Sequence, residues 1–227
     1  MFGSSYGSHA EYVRCREKTL SHLPTNLTFH EAAAIPTAGL TALQALRDVA
    51  QVKKGQRVLI YGASGGVGHF AVQLAGYYET EVTAVCSTSN LSWVKGLGAH
   101  HMIDYTKEDF VRNGKKYDLI LDAVGKRTYF SCKPSLTENG LYISEHPLKP
   151  RYQLFQWMFS MLAKDKQFKT HLAEPNEKGI QFLRQLAQEG KIKPVIEKIY
   201  PLHEIAAAHR HVQNGHTKGK VVVEVCA

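Results

Sequence analysis

Short apolar runs alternate with helical patterns through the middle of the chain. Strands are predicted where branched and aromatic residues cluster, at 57–61, 81–86, 101–103, 117–122 and 140–144. Apolar side chains within 67–78 recur at helical spacing, which predicts an amphipathic helix, and a shorter helix over 91–97 is stopped at Gly98. This alternation predicts an α/β fold with a parallel sheet and right-handed crossovers.

The segments that flank this alternation are patterned differently. Residues 9–15 form an extended run that no crossover helix follows, and a Glu-Asn-Gly turn at 138–140 precedes the last strand. A Pro-bounded stretch over 147–177 contains an apolar helical pattern at 154–162. Beyond it we expect a helix over 176–189 ended by Gly190, a strand over 194–200, a helix over 203–213 and a closing strand over 220–225.

Composition narrows the class of protein. With 227 residues, 44% of them hydrophobic and 21% charged, the chain can bury a sizeable core and is not of the disordered class. No apolar run approaches the roughly 18 residues of a membrane span, and the first residues lack the features of a signal peptide. The four cysteines lie far apart without a CxxC pair, which predicts neither disulfides nor a bound metal. We therefore expect a cytoplasmic protein.

The chain is basic, with 28 Lys and Arg against 20 Asp and Glu and a formal net charge of +8. The basic residues are scattered and form no block of like charge. We therefore expect neither a nucleic-acid nor a membrane partner, and an anionic small molecule stays open as a ligand.

The residues most informative about function are Tyr61-Gly62-Ala63-Ser64-Gly65-Gly66-Val67-Gly68, between a predicted strand and a predicted helix. A glycine turn in this position lets backbone N–H groups at the helix start approach a pyrophosphate. A side chain at Gly65 would obstruct that approach, and Gly68 allows the helix to pack on the sheet. Ala63 stands where the first glycine of GxGxxG would be, so the strict pattern is broken. The strand and helix on either side nevertheless favour a dinucleotide site.

The same residues fit a second pattern, that of a short-chain dehydrogenase. A GxxxGxG arrangement matches Gly62, Gly66 and Gly68, and a YxxxK pair matches Tyr129 and Lys133. The turn lies far from the start of the chain, however, and too few residues separate it from Tyr129 for the elements that intervene in that class. We therefore interpret Tyr129 and Lys133 as ordinary helix residues.

The segment after the second predicted strand bears on which nicotinamide cofactor would bind. Sites for NAD place an Asp or Glu about 20 residues beyond the glycine turn, where it holds the ribose 2′-OH. Here the segment reads Cys86-Ser87-Thr88-Ser89-Asn90 and contains no acid. A carboxylate would repel a 2′-phosphate, whereas hydroxyl groups can hydrogen-bond to one. The sequence therefore favours NADP(H).

Six stretches, taken in order, resemble the medium-chain dehydrogenase/reductase superfamily on its zinc-independent, quinone-oxidoreductase-like branch. They lie at 8–13, 31–42, 62–68, 97–105, 117–125 and 216–222. They span essentially the whole chain, and the set is specific where any one stretch would not be. The resemblance implies a doubly wound, mostly parallel Rossmann sheet and an oxidoreductase that uses a nicotinamide cofactor.

The resemblance also implies contacts to each part of the cofactor. They are Thr41, Val124 and Gly125 at the nicotinamide and its ribose, Ala63, Ser64, Gly65, Gly66, Val67, Gly68 and Lys220 at the pyrophosphate and beside it, and Ser87, Thr88, Ser89 and Tyr105 at the adenosine ribose with its 2′-phosphate. Relatives often carry Arg or Lys at the position of Ser89, so this chain departs from the family pattern there.

A larger departure lies at the front of the chain. The family begins with a GroES-like catalytic domain that supplies much of the substrate pocket. The resemblance implies a remnant of that domain over 1–27, an NADP-binding Rossmann domain over 28–175, and the last Rossmann elements with a segment returning to the catalytic domain over 176–227. Remnants of a second β-rich domain are therefore expected at both ends. The catalytic residue stays unknown, because most of the pocket wall is missing.

Two function hypotheses follow. The first is an NADPH-dependent oxidoreductase that transfers hydride to a quinone, an enone or a related carbonyl-conjugated small molecule. The alternative is a truncated cofactor-binding fragment without independent turnover, and a separately encoded N-terminal domain stays open as a partner. The resemblance further implies a homodimer that pairs across the sheet edge after 140–144, with the apolar stretch at 152–159 as a candidate contact.

Four histidines near the end of the chain could suggest a metal site. They are His203, His209, His211 and His216. Because His209 and His211 are two residues apart, they do not share a helix face, and we interpret all four as solvated residues.

Overall fold

A six-stranded parallel sheet forms the centre of the molecule. The computed structural model describes residues 2–4, 7–145 and 167–225. The strands in this part of the chain are β1 (Phe2–Gly3), β2 (Leu20–Ser21), β3 (Arg57–Tyr61), β4 (Glu81–Cys86), β5 (His101–Asp104), β6 (Tyr117–Asp122), β7 (Leu136–Ser144), β8 (Gln167–Thr170), β9 (Ile196–Pro201) and β10 (Lys220–Glu224). The central sheet has the order β5-β4-β3-β6-β7-β8, with every neighbouring pair parallel.

Helices cover both faces of this sheet. They are α1 (Phe29–Ala34), α2 (Pro36–Leu43), α3 (Gly68–Tyr77), α4 (Leu91–Lys95), α5 (Tyr129–Cys132), α6 (Glu177–Gln188) and α7 (Ile205–Gln213). The strand order is that of a doubly wound Rossmann sheet, so the predicted α/β class is confirmed. The expected remnants of a second domain at both ends stay a prediction.

The helix ends follow from local sequence. Thr28 caps α1 in a reciprocal box with Glu31, whose backbone N–H donates to the Thr28 hydroxyl. Asn176 caps α6 by accepting from the N–H of Gly179 at 2.8 Å, and Gly190 follows the helix at a φ of +67°. The predicted helix over 176–189 is therefore confirmed, with both ends set by the expected residue types.

The hydrophobic core has two parts, one on each face of the sheet. The larger part joins Leu141 and Ile143 of β7 to residues of α2, α3 and α6. The smaller part joins Tyr142 of β7 to Tyr129 of α5 and to Phe110. Alternate residues of one strand thus face opposite layers, as the pleat of a strand requires.

Several elements differ from the sequence prediction. The strand predicted over 140–144 begins earlier, at Leu136, and the expected turn at 138–140 is a bulge inside it. There the pairing with β6 shifts from Tyr117↔Leu136 to Leu119↔Leu141. The run over 9–15 forms no strand, and β8 was not predicted. The helical pattern at 154–162 and the stretch at 152–159 lie outside the described residues.

Two smaller sheets flank the central one. β1 pairs antiparallel with β2, and β9 pairs parallel with β10. Helix α7 connects β9 to β10, which confirms the predicted strand, helix and closing strand near the end of the chain. Among the described residues, no helix is both long and apolar enough to cross a bilayer.

Candidate functional site

The site lies at the carboxyl edge of the central sheet, where β3 and β6 meet. These two strands are neighbours, with Tyr61 opposite Asp122. The chain after β3 continues to β4 on one side of the pair, and the chain after β6 continues to β7 on the other side. This reversal in strand order is the place where doubly wound sheets bind ligands. The backbone ladder continues past the strands, because Ala123 N–H donates to the Tyr61 carbonyl and Tyr105 N–H to that of Cys86.

The glycine turn (residues 62–68) is built by close backbone contacts. Gly62 has a φ of +83°, and a Cβ there would collide with the side chain of Val124. A Cβ on Gly68 would collide with the Gly62 carbonyl and lie 2.8 Å from Ala63 Cα. A Cβ on Gly65 would meet only the Gly62 carbonyl, at 3.4 Å, so the other side of Gly65 is open. The turn therefore leaves its backbone open on one side at the start of α3.

Ala63 has a structural place in this turn. It is fully buried, and the N–H groups of Gly62 and Ala63 both donate to the carbonyl of Val85 on β4, at 3.1 and 3.0 Å. Its side chain therefore packs inside the protein, and only its backbone can face a cofactor.

His69 fixes the glycine turn from within, and the sequence analysis missed it. The ring is fully buried at the start of α3. Nδ1 donates to the Gly65 carbonyl at 2.9 Å, and Nε2 accepts from Val195 N–H at 3.3 Å, which requires a neutral ring with its proton on Nδ1. Burial lowers the pKa of His69 to about 4. Its signal in the sequence is a histidine one residue after the last glycine of the turn.

Lys220 lies against the same turn. At the start of β10, its Nζ is 3.6 Å from the point where a Cβ on Gly66 would be. The Gly219 N–H donates to the Ser64 carbonyl at 2.8 Å, which ties this segment to the turn. Burial lowers the pKa of Lys220, and no carboxylate in the described part of the chain pairs with it. The structure therefore brings a buried cation to the glycine turn.

A buried carboxylate organises the loop after β6. Asp122 Oδ1 accepts from the N–H groups of Val124 and Gly125, at 2.9 and 2.8 Å. Oδ2 accepts from the hydroxyl of Tyr142 at 2.8 Å and from Arg127 N–H at 3.3 Å. Burial, followed by the charge of Asp122, raises the pKa of Tyr142 above its ordinary range. The predicted Val124–Gly125 contacts thus sit on a loop held by one residue that sequence analysis did not single out.

The expected adenosine end contains an acid that the sequence analysis did not anticipate. The Thr88 hydroxyl donates to Asp104 Oδ2, and Thr106 donates to Oδ1 through its N–H at 3.0 Å and its hydroxyl at 2.7 Å. These bonds, with Lys107 at 3.9 Å, lower the pKa of Asp104. The segment after β4 has no acid of its own, but β5 supplies one because Cys86 lies opposite Asp104.

The remaining predicted contacts surround these groups. Ser87 and Ser89 have hydroxyl oxygens 3.4 Å apart, and Tyr105 is 43% exposed beside them at the end of β5. Thr41 lies on α2, where its hydroxyl donates to the Thr37 carbonyl at 2.9 Å. The strand ends thus bring most of the predicted residues to one edge, while Thr41 comes from the helix layer.

The short-chain pattern does not form a site. Tyr129 is fully buried in α5, with its ring centroid 5.9 Å from that of Phe168 and 6.3 Å from that of Tyr142. Lys133 begins the 3-10 turn that follows. Their interpretation as ordinary helix residues is confirmed.

Comparison with known proteins agrees with this geometry. A family model described as zinc-binding dehydrogenase matches residues 97–223. A chloroplast envelope quinone oxidoreductase homolog of Arabidopsis thaliana is 36% identical, over 96% of this chain and 69% of its own length. The mitochondrial NAD(P)H oxidoreductase RTN4IP1 of Mus musculus is 32% identical, over 96% of this chain and 61% of its own. The quinone oxidoreductase structure from Coxiella burnetii superposes with a TM-score of 0.83, at 34% identity over 92% of this chain and 65% of that one.

The chain belongs to the medium-chain dehydrogenase/reductase superfamily. Within it the relatives are of the quinone-oxidoreductase-like branch, so the resemblance stated from sequence is confirmed. The superfamily consists of oxidoreductases that use a nicotinamide cofactor, and this chain spans about two thirds of the length of the relatives it matches. The family model's description names zinc. No group of three or more His, Cys, Asp or Glu side chains in the described ranges is arranged to hold a metal ion.

The expectation of a cytoplasmic protein is wrong. The matched relatives are named as chloroplast or mitochondrial proteins. Cysteine spacing argues only against an oxidising compartment, and it cannot distinguish the cytosol from the interior of an organelle.

Proposed function

We propose that this chain is an NADP(H)-dependent oxidoreductase that transfers hydride to a quinone, an enone or a related carbonyl-conjugated small molecule. The observation that carries the proposal is the glycine turn at the carboxyl ends of β3 and β6, where the strand order reverses. There the backbone at Gly65 is open, and the buried Lys220 lies beside Gly66. This combination of backbone donors and a cation is complementary to a pyrophosphate.

The residues present fit the whole length of a dinucleotide. When bound, the nicotinamide supplies a hydride to the acceptor. The backbone from Ser64 to Gly68 would line the pyrophosphate at the start of α3, and Lys220 would balance its charge. The Val124–Gly125 loop, held by Asp122, would line the nicotinamide ribose. In such a site the protein contributes chiefly by positioning, so loops fixed before binding favour turnover.

The preference for NADPH over NADH rests on the adenosine end. Ser87, Ser89 and Tyr105 supply hydroxyl groups, and the carboxylate of Asp104 is already occupied by Thr88 and Thr106. A carboxylate bound in this way has little capacity left for a ribose 2′-OH, which is its usual role in NAD sites. The negative charge of Asp104 would oppose a 2′-phosphate here, and Lys107, 3.9 Å from that carboxylate, and the net charge of +8 offset this repulsion.

The test is quinone-dependent oxidation of NADPH by the purified chain, followed by the loss of NADPH absorbance. We expect turnover with para-benzoquinone, stronger with NADPH than with NADH, and abolished by Gly65→Ala. Gly76 is the position for a control, because it lies in α3, the helix that follows the turn, and a Cβ there meets nothing within 4 Å; Gly76→Ala should be active. Binding of NADPH without turnover would favour the alternative instead.

That alternative is a cofactor-binding fragment without independent turnover. It is favoured by the share of the relatives that the chain spans, 69% for the chloroplast proteins and 61% for the mitochondrial ones. We also propose that the cofactor-binding part works together with a GroES-like domain. A groove of about 600 Å³ between α1 and β10 supports it, with Phe29 beside it 76% exposed. Recovery of turnover on adding such a domain would support this proposal.

We propose that the chain forms a homodimer through the edge of the central sheet beyond β7, where β8 is the last strand in the described residues. An unpaired parallel edge strand can extend a sheet across two copies. Light scattering should give twice the chain's mass of 25.4 kDa, and a monomer mass at high concentration would remove the proposal.

A further inference from the structure

Two titratable side chains at the ends of β7 and β8 have buried polar atoms that find no hydrogen-bond partner in the described part of the chain. Both carboxyl oxygens of Glu145 and the Nε2 of His171 are buried there, each without a partner. Glu145 directly follows β7, and His171 directly follows β8. A buried polar atom without a partner is costly, so such groups call for a functional explanation.

The backbone fixes Glu145 close to the loop that we assign to the nicotinamide ribose. Its N–H donates to the carbonyl of Asp122 at 3.1 Å, and the side chain of the same Asp122 binds the N–H groups of Val124 and Gly125. One residue therefore joins Glu145 to that loop. The position is at the carboxyl edge of the sheet, on the nicotinamide side of the switch point between β3 and β6.

The pleat of β7 indicates which layer Glu145 faces. Leu141 and Ile143 pack into the core part that contains α2, and Glu145 is next in this alternation. Helix α2 carries Thr41, the residue implied to lie near the nicotinamide. The neighbouring His171 is tied to the same strand end, because its N–H donates to the Ser144 carbonyl at 3.3 Å.

The buried surroundings of Glu145 favour an un-ionised carboxyl group. At the ends of the flanking strands the titratable groups are Asp122 of β6 and His171 after β8, while α2 contains none. Burial lowers the pKa of His171, opposed by the charges of Asp48 and Glu174, so the imidazole offers no positive charge at neutral pH. Burial raises the pKa of Glu145 to about 8. The carboxyl group thus holds a proton near neutral pH, with no partner among the described residues to take it.

We propose that Glu145 is the catalytic acid that protonates the reduced acceptor. The proposal rests on the proposed function. Reduction of a quinone to a hydroquinone adds one hydride and one proton. The hydride goes to one end of the conjugated system, and the O–H bond of Glu145 breaks as its proton passes to a quinone oxygen. The carboxylate left behind regains a proton from water. An acid whose pKa lies near the working pH is well matched to this role.

The first test is the protonation state, which does not require turnover. The infrared difference spectrum of the full chain minus Glu145→Gln should show the carbonyl stretch of a protonated carboxyl group at pH 7. This band should titrate near pH 8. A carboxylate signal at pH 7 would overturn the proposal. If the band is present at pH 7 but the wild type reduces no quinone, the proposed function is wrong, and so is the role of Glu145 as the catalytic acid.

The second test is steady-state kinetics with NADPH and para-benzoquinone. Glu145→Gln keeps the shape and hydrogen-bonding groups but has no transferable proton, so kcat should fall by about 100-fold while the Kd for NADPH stays within about twofold. The wild-type kcat should fall above pH 8, and this fall should be absent in Glu145→Gln. Glu145→Asp should regain part of the lost rate.

Two further variants complete the comparison. Glu138→Gln changes an exposed carboxylate in the bulge of the same strand and should leave kcat unchanged. An unchanged kcat in Glu145→Gln would contradict the proposal. So would a loss of NADPH affinity at constant kcat, which would mean that Glu145 only orients the cofactor. If His171→Gln rather than Glu145→Gln lost the rate, the assignment to Glu145 would be wrong.

Discussion

The glycine turn and the β7–β8 edge, which is the pair of strand ends that carries Glu145 and His171, both lie at the carboxyl edge of the central sheet. They differ in whether their buried polar groups are hydrogen-bonded. In the turn, both ring nitrogens of His69 are hydrogen-bonded, and the N–H of Ala63 donates to the Val85 carbonyl on β4. At the β7–β8 edge, the Glu145 carboxyl group and the His171 Nε2 are buried without partners among the described residues. In a region that only binds a ligand, the buried polar groups can all be hydrogen-bonded before the ligand arrives. In a region that transfers a proton, one titratable group must stay without a fixed hydrogen-bond partner.

The largest effect should come from adding a methyl group inside the turn. In Gly68→Ala, the new Cβ would collide with the Gly62 carbonyl and crowd Ala63. We expect the free energy of unfolding to drop by at least about 4 kcal/mol, measured by urea denaturation. Gly65→Ala is the contrasting variant, because its Cβ meets only one atom, at 3.4 Å. It should fold normally and lose cofactor affinity. Equal stability of the two variants would contradict this account of the turn.

The β7–β8 edge should be destabilised as the pH rises. Because the folded pKa of Glu145 is about 8, above its ordinary 4.5, the folded state keeps a proton that the unfolded state has lost. The free energy of unfolding should therefore fall by about 3 kcal/mol between pH 5 and pH 8. Glu145→Gln should remove this part of the pH dependence, and Glu138→Gln should retain it. Parallel stability curves for the wild type and Glu145→Gln would mean that Glu145 is ionised in the folded state.

The glycine turn should instead be destabilised as the pH falls. The folded pKa of His69 is about 4, below its ordinary 6.5, so the unfolded state takes up a proton first as the pH falls. Stability should drop by about 2 kcal/mol between pH 6.5 and pH 4. His69→Gln should flatten this part of the curve, while the same change at His203, whose side chain is 80% exposed, should not. Identical acid sensitivity in His69→Gln would show that another group is responsible.

The smallest effect concerns the adenosine end, beyond both regions. Ser89→Arg would add a guanidinium next to Ser87 and Thr88, where a 2′-phosphate can accept two hydrogen bonds from it. NADPH affinity should rise about tenfold with NADH affinity unchanged, as measured by fluorescence titration at constant salt. A rise for both cofactors would indicate binding to the pyrophosphate rather than to the 2′-phosphate.

The contrast between the regions also explains what could be predicted from sequence. Strands β3, β4 and β6 and helix α3 were predicted because their apolar patterns are long and are bounded by glycine or polar residues. Strand β8 was missed because Phe168 is its single apolar residue. At the bulge in β7 the sequence predicts a turn, because Glu-Asn-Gly breaks a strand pattern whether or not a neighbouring strand continues past it.

The residues of the candidate site also fall into a group that the sequence predicts and a group that it does not. The glycine turn was predicted, because its backbone geometry demands glycine at fixed spacing. Asp104, Asp122 and Glu145 were missed, because their roles depend on strand neighbours that are distant in the chain. Asp104 meets Thr88 only through the pairing of β4 with β5, and Glu145 meets Asp122 only through that of β6 with β7.

The central claim is that this chain by itself builds a complete nicotinamide site around the glycine turn. Calorimetric titration of the folded chain with NADPH, and separately with NADH, tests it most directly, with Gly65→Ala as the variant that should not bind. We predict micromolar binding of NADPH, weaker binding of NADH, and no heat with the variant. No heat with either cofactor from the folded wild type would contradict the claim.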